Sequence, residues 1–464
     1  MPGYIEDRWY TKRPDPATGK RRETARHGQG KRWRVAGVPG VRDRSFKNLE
    51  GPGGAKAWLK EAATDTTRGA FYDPRDGAMP LDEYVREHWW PTLRRSPTTK
   101  QSMRSRIFNH VLPHMGAMPL NRIGHDEIKQ WVTLLELKKL DPTTIRATWS
   151  HFSSILQAAH KAKRIPENPF RDPDLKAPTQ PKSRAKAWPI ETVAAVRRHL
   201  DVRYQILLDV GFCAGLRQGE AFALSPDDAE ITGGEDDVIQ VQRQIVRVSG
   251  KLAFSPPKGN KTREAPCPPE LGRALLRHEK RFPAVAVTLP WIDPDRPGLA
   301  WEDRPLKTVR LYVVSPASKS ALYRDAFNEF FWKPALADAG LIPQPVVERV
   351  TGKGKRPWRR KVWVMRREDG FHVLRHTFAS VVLHEGETVG RLAEWLGHAD
   401  PAFTLRTYVH FMPRSGKRAV ATLGRLLHTA MEGEVPVTAA RGESATDPVP
   451  LSPDSPQSPD EHAA

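Results

Sequence analysis

Two cysteines in 464 residues, Cys213 and Cys267, leave no material for a disulfide framework and argue against a cysteine zinc site. That scarcity fits a reducing compartment, and the expected setting is the bacterial cytoplasm. No run of about 18 apolar residues occurs, so no membrane span is predicted. The opening MPGYIEDRWYTKRP lacks the apolar stretch of a secretory leader. Neither G-x-x-x-x-G-K-[ST] nor G-x-G-x-x-G is present, so no glycine-rich phosphate cradle is expected. No carboxylate cluster suggests a two-metal centre, and no cofactor is predicted. Acidic residues are short too: 54 Asp and Glu stand against 74 Lys and Arg, a formal net charge of +20. Such an excess draws polyanions, and double-stranded DNA is the leading partner because cations that neutralise its phosphates release counterions.

What is present falls into stretches of different texture. Residues 1–72 are basic and aromatic. Trp9, Tyr10, Trp33 and Val35 alternate with charged residues as on half-buried strands, and a short helix is predicted from about Ala55 to Ala63. Arg21, Arg22, Lys31, Arg32 and Arg34 are candidate phosphate contacts there. After the turn-rich DPRDGAMP, residues 78–168 carry four helical patterns. The last has Ile145, Trp149, Phe152, Ile155, Leu156 and Ala159 at helical spacing. Trp89, Trp90, Trp131 and Trp149 read as core, while Lys100, Arg104, Arg106 and Arg146 are candidate DNA contacts. Residues 169–189 are Pro-rich and basic, a linker by composition, with Lys182 and Arg184 able to lie along a phosphate backbone. Residues 190–431 mix helices with alternating strands, an α+β pattern. Within them 285–369 reads as a long irregular segment, and its part 352–369 as a strongly basic hairpin or loop. The stretch 432–464 is acidic and Pro/Ser-rich, and is predicted to be disordered.

Four short motifs in 190–431 bring cations or proton-transfer groups together. In AGLRQGEAFAL, Arg217 opens a helix with Glu220 one turn on; it either aims a planar fork at a phosphate or simply pairs with Glu220. In SPPKGNKTREAPCPP, read as a hairpin turning through GNK, Lys258 stands at the turn with Lys261 near it, inert on the surface or a mobile proton donor. In GFHVLRHTFASVVL, His372 and Arg375 share a helical face, and His376 can join it. The two histidines are a metal pair or satisfied core groups, and Val373 stands where a zinc helix usually has Glu. In LGHADPAFTLRTYVHF, His398 follows a helix end and Tyr408 lies two turns into the next helix. Read alone, Tyr408 is a packed aromatic; if phosphate chemistry takes place here, these cations stand in for a metal around a pentavalent phosphate and Tyr408 is the nucleophile.

The series Arg217, Lys258, His372-x-x-Arg375, His398, Tyr408, with GLRQGEAFAL and HVLRHTFAS…LGHADPAFTLRTYVH around it, resembles the tyrosine recombinases of the phage-integrase family. The resemblance implies a catalytic domain at 190–431, an all-α core-site-binding domain at 78–168, and a small α+β arm-site-binding domain at 1–72. It implies that Arg217 and Arg375 clamp the scissile phosphate, that Tyr408 forms a 3′-phosphotyrosyl link, and that Lys258 protonates the leaving 5′-oxygen. His372 then serves as acid/base, His398 bonds a phosphate oxygen, and Glu220 orients the arginine box. It further implies site-specific recombination of attachment-site DNA to integrate and excise a mobile element, by a tetramer on DNA, with an excisionase and a host DNA-bending protein as possible partners. A type IB topoisomerase-like relaxing enzyme and a non-catalytic DNA-binding regulator of the same fold are the alternatives. Two departures stand out: ten positions separate His398 from Tyr408 where many relatives have nine, and Lys261, preceding a Thr, competes with Lys258.

Overall fold

The computed structural model describes residues 3–38, 41–67, 72–73, 75–179, 185–350 and 358–411. The tail 432–464, Lys182, Arg184 and the 352–357 part of the basic segment lie outside the described residues. Met1–His410 form one compact unit and Phe411–Ala464 a second, of which Phe411 alone is described.

Three successive stretches of the first unit each bury an apolar cluster of their own. At the N-terminus β1 (Tyr4–Asp7), β2 (Trp33–Ala36) and β3 (Arg44–Phe46) make an antiparallel sheet in that order, with Tyr4 opposite Ala36 and Trp33 opposite Phe46. Helix α1 (Ala55–Thr67) runs one turn further than the sequence suggests. Its Ala55 and Trp58 pack with Val35, Val38 and Phe46.

The second stretch is helical: α2 (Leu81–Glu83), continued by a wider turn through Trp89, then α3 (Pro97–His110), α4 (Leu112–Met115), α5 (His125–Leu137) and α6 (Pro142–Lys161). Helix α6 starts where Asp141 accepts a hydrogen bond from the Thr143 N–H and Pro142 takes the first position, whose N–H has no helical partner anyway. Its predicted stripe, Ile145, Trp149, Phe152, Ile155, Leu156 and Ala159, is buried. Burying each large side chain stabilises by about 1.5–3 kcal/mol. Trp89, Trp131 and Trp149 are buried and Trp90 packs partly against them, so none is a free stacking platform. Both ends of the Pro-rich stretch are packed: Phe170 and Leu175 against the helical core, Trp188 into the next one.

The third stretch begins with α7 (Ile190–His199), α8 (Val202–Cys213) and α9 (Gln218–Phe222). Then come β4 (Val238–Val241), β5 (Gln244–Val248), β6 (Lys251–Ser255), β7 (Arg263–Pro266) and α10 (Pro269–Arg281). Here the hairpin expected around GNK is not formed. Strand β6 pairs with β5 and β7 with β4, so Lys258 sits on a loop joining two separate two-stranded sheets. The local turn at Pro257–Asn260 is real, but partners farther along the chain take both strands.

The segment 285–369 is more regular than its composition suggests. It holds the hairpin β8 (Val285–Pro290) with β9 (Leu306–Leu311), then α11 (Arg324–Phe327) and α12 (Lys333–Asp338). The basic part forms a second hairpin, β10 (Val346–Val350) with β11 (Trp358–Val362). Three helices close the described chain: α13 (His372–His384), α14 (Val389–Leu396) and α15 (Pro401–Tyr408). No helix among the described residues is long and apolar enough to cross a membrane. The whole is α-rich with small sheets, the fold class expected.

Candidate active site

The site grows from one buried carboxylate. Gly215, at φ +63°, turns the chain between α8 and α9, and Arg217 enters α9 with extended backbone. Glu220, three residues on, folds back to accept the Arg217 N–H at 2.9 Å, and its other oxygen accepts the Arg217 guanidinium at 2.9 Å. The same carboxylate takes two bonds from Arg263 on β7, at 3.0 and 2.6 Å. Arg263 also donates its Nε–H to the Trp395 carbonyl at 2.7 Å, which ties β7 to the end of α14. Burial of Glu220 works against its charge, but the Arg263 bonds and the charges of Arg263, Arg217 and Arg375 prevail and hold it at about 2.

Arg375, one turn into α13, is 1% exposed. Its guanidinium donates to the Gly215 carbonyl at 2.7 Å and to the Leu396 carbonyl, and approaches His398 Nε2 at 3.3 Å. Burial and then the charge of Arg217 act against this cation, while Glu220 favours it. An arginine stays charged under such opposition because its intrinsic proton affinity is so high.

The sequence LGH marks a helix stop. Gly397, at φ +62°, ends α14 in the left-handed conformation, and the Gly397 and His398 N–H groups close back onto Glu394 and Ala393. A Cβ at Gly397 would lie 2.8 Å from Arg263 Cδ, so glycine is required by space as well as by φ. His398 then faces Arg375 with Nε2 and Thr404 Oγ1 with Nδ1, at 2.7 Å. With Arg375 as donor, Nε2 accepts and the proton sits on Nδ1. Burial first, then the charges of Arg375, Arg217 and Arg263, bring His398 down to about 3, so it is neutral near pH 7.

Helix α15 begins where Asp400 accepts from the Ala402 N–H, with Pro401 in the first position. Thr404 and Tyr408, four apart, share the buried face, 0% and 1% exposed. Thr404 meets His398, while the Tyr408 hydroxyl lies 2.9 Å from His376 Nδ1. The Tyr408 and His398 rings are parallel, 6.4 Å apart. The ten-position spacing is thus taken up by the Asp400–Pro401 turn and two turns of helix. Burial raises the Tyr408 phenol above its ordinary range, opposed by Arg375 and Arg217. His376 is lowered to about 4, by burial, then Arg375 and His410. His372 meets His376 edge-on at 4.7 Å, and dense packing, then His376, Arg375 and Arg217, bring it to about 3 although part of the side chain is open to solvent.

Comparisons with known proteins agree with this layout. Residues 83–135 match the family model described as phage integrase, N-terminal SAM-like domain. A tyrosine recombinase XerC-like protein of Caldanaerobacter subterraneus subsp. tengcongensis is 22% identical over 354 residues, 72% of this chain and 79% of that one. The Tn1549 transposon integrase, solved in complex with transposon right end DNA, is 16% identical, with a TM-score of 0.55 over 75% of this chain and all of that one. The same integrase with a circular intermediate DNA gives a TM-score of 0.56 at 16% identity, over 75% of this chain and 99% of that one. The chain shares the fold of these integrases.

The structure gathers Arg217, Glu220, Arg375, His398 and Tyr408 into one connected cluster, with His372 reaching it through His376. It adds two residues that sequence reasoning did not assign. Arg263 is the second cation on Glu220, and its only sequence signal is its position in a motif already read for its lysines. His376 is the imidazole at the tyrosine hydroxyl; the helical face it shares with His372 was visible, but not which of the two meets α15. Lys258 and Lys261 stand exposed on the 256–262 loop, and neither makes a hydrogen bond or ion pair among the described residues.

The candidate DNA contacts are unequal. Arg22 pairs with Asp15, Arg32 with Asp7 at 2.8 Å, and Arg34 with Asp43, so these three are partly neutralised. Arg32 also lies 4.6 Å over the Trp33 ring. Arg21 and Lys31 are exposed and make no ion pair among the described residues. On α3, Lys100 lies over Trp90, Arg104 over Phe108, and Arg106 lies 3.3 Å from His151. Arg146 on α6 reaches the Pro178 carbonyl at 3.5 Å. Arg106 lines a cleft of about 830 Å³ between α3 and the β5–β6 hairpin, where Ser249 donates to Gln101 at 3.1 Å. Across the linker's far end, His410 lies 2.9 Å from the Ala185 carbonyl and the Trp188 N–H donates to Thr377 at 2.9 Å.

Proposed function

We propose that the chain is a site-specific DNA recombinase that breaks and rejoins strands through Tyr408. The observation that carries the reading is a nucleophile candidate, 1% exposed, set in a pocket where three arginines meet one carboxylate's worth of charge, two of them bonded to it. Such a pocket has surplus positive charge and donors fixed in advance, which suits an oxyanion whose charge grows in the transition state.

In this reading Arg217 and Arg375 hold the non-bridging oxygens of the scissile phosphate. The Tyr408 oxygen attacks phosphorus as its proton passes to His376, and the bond to the 5′-oxygen breaks. The products are a 3′-phosphotyrosyl link and a free 5′-hydroxyl. Lys258 supplies the proton to the leaving oxygen, with the 256–262 loop bringing it in when DNA is bound; Lys261 is the neighbouring candidate. His372 is the second imidazole of the proton pathway. His398 turns its Nε2 from Arg375 to a phosphate oxygen and takes up a proton, because an anion beside it reverses the field that keeps it neutral. Resealing runs the same steps backwards with another 5′-hydroxyl, so the bond energy is retained in the aryl ester.

Residues 1–72 serve as the arm-site reader and 78–168 as the core-site reader, joined through 169–189 to the catalytic 190–431. The element moved is a phage or integrative element, with four chains assembled on two duplexes. The direct test is a nicked suicide duplex carrying the attachment site. The native chain should form a denaturation-resistant DNA adduct and the Tyr408→Phe variant none. An adduct in the Phe variant, or none in the native chain, would falsify the reading.

A further inference from the structure

The β10–β11 hairpin plays no part in the chemistry above, yet it is built with two different sides. In its register Val346 faces Val362, Val347 faces Lys361, Glu348 faces Arg360 and Arg349 faces Arg359. Side chains alternate across a strand, so Val347, Arg349, Arg359 and Lys361 share one side, and Val346, Glu348, Arg360 and Val362 the other. On the second side charge is matched: Arg360 pairs with Glu348 at 3.3 Å. On the first it is not. Arg349, Arg359 and Lys361 are all exposed, and none has an ion pair among the described residues.

Arg349 and Arg359 are also direct cross-strand neighbours, and like charges in that position destabilise a hairpin. A two-stranded ribbon is marginal in water, so the arrangement works against the ribbon's own stability unless an anion covers it. The surplus runs on in sequence: residues 346–362 contain seven Lys and Arg and one acid, Glu348.

The base of the ribbon is fixed. Trp363 donates to Glu329 at 2.9 Å, Trp363 and Met365 pack on the catalytic core, and Arg366 pairs with the buried Asp369, three residues before His372. The cationic side is therefore carried on an anchored element leading directly into α13.

We propose that this side of the β10–β11 hairpin is an accessory DNA-binding surface that lies against the phosphate backbone of a duplex, outside the reacting phosphate. It rests on the reading of the chain as a DNA-acting enzyme and adds a contact region for it. The contact is electrostatic and carries no base preference, so its signature is in salt dependence.

The test uses the full chain and a random-sequence duplex of about 40 base pairs, with binding followed by fluorescence anisotropy from about 50 to 200 mM salt. The triple variant R349Q/R359Q/K361Q should bind roughly 10–100-fold more weakly at the upper end and flatten the slope of log K against log salt by about 2–3. Arg360→Gln, on the matched side, should stay within about twofold with the slope unchanged. An unchanged slope in the triple variant, or an equal loss in Arg360→Gln, overturns the hairpin surface alone. Adduct formation by the triple variant on the suicide duplex at low salt separates the two readings. Adduct with the flattened slope supports the surface. A native chain that binds DNA with the hairpin's slope but gives no adduct supports the surface and removes the recombinase reading. A native chain that does not bind the duplex overturns both.

Discussion

The Tyr408 hydroxyl and His376 Nδ1 stand 2.9 Å apart, joining α15 to α13 inside the cationic pocket. A buried phenol whose proton affinity is raised needs a partner to take that proton, and His376, brought to about 4, is neutral and able to accept. His376→Phe should slow adduct formation by about 100-fold at saturating DNA, the low end for loss of a positioned base. His376→Gln should recover part of the rate. Single-turnover kinetics with a separate binding measurement checks this; a change in Kd alone would assign His376 to binding instead.

Glu220→Gln keeps the shape of the carboxylate and removes the charge shared by Arg217 and Arg263. Breaking a buried ion pair from one side costs about 3–5 kcal/mol. The thermal midpoint should fall by roughly 10 °C on that basis, and adduct formation should be lost even where the protein is still folded. A variant that melts like the native chain would show that the cluster is not held by this charge.

Gly397→Ala tests the turn that delivers His398. The new Cβ meets Arg263 Cδ at 2.8 Å in a backbone conformation unfavourable for alanine by about 1–2 kcal/mol. Adduct formation should drop by at least about tenfold, a 1.4 kcal/mol effect, because Arg263 must shift. Gly390→Ala, with open space at its Cβ, is the control and should behave as the native chain.

Acid should destabilise the DNA-free protein in a defined window. In the unfolded chain His376 and His398 take up protons near pH 6.5, but in the folded chain only near 3 to 4. The folded state thus loses stability as pH falls from about 7 towards 4. Glu220, lowered to about 2, adds stability that is full above about pH 4.5 and is lost as pH falls through 2, the same direction. An oxyanion in the pocket reverses the effect on His398, so sulfate should raise the melting temperature more at pH 5.5 than at pH 7.5. Scanning calorimetry at the two pH values decides it; equal shifts would place the anion away from His398.

The parts of the site legible in the sequence were those set by local rules. Arg217 and Glu220 lie three apart at a helix start, Gly397 is a helix stop, Asp400-Pro401 a helix start, and Tyr408 lies two turns into the helix that follows. The parts that were not legible depend on partners distant in the chain. Arg263 reaches Glu220 only because β7 pairs with β4 rather than β6, and nothing in GNKTRE announces that choice. His372 and His376 share a helix face, and the packing of α15 selects His376 for the tyrosine. The same holds for the strands in 285–369, whose pairing outweighs a composition rich in Pro and charge.

Ala185 is bonded to His410 at the end of the tyrosine's helix, and Trp188 to Thr377 on the arginine's helix. The connector is therefore stapled to the catalytic core at two points within four residues. Tension on this short stretch is therefore delivered to α13 and to the end of α15 together. A pull on Ala185 would reach the turn that follows Tyr408, so the helix carrying the candidate nucleophile is coupled to the chain entering at Ala185.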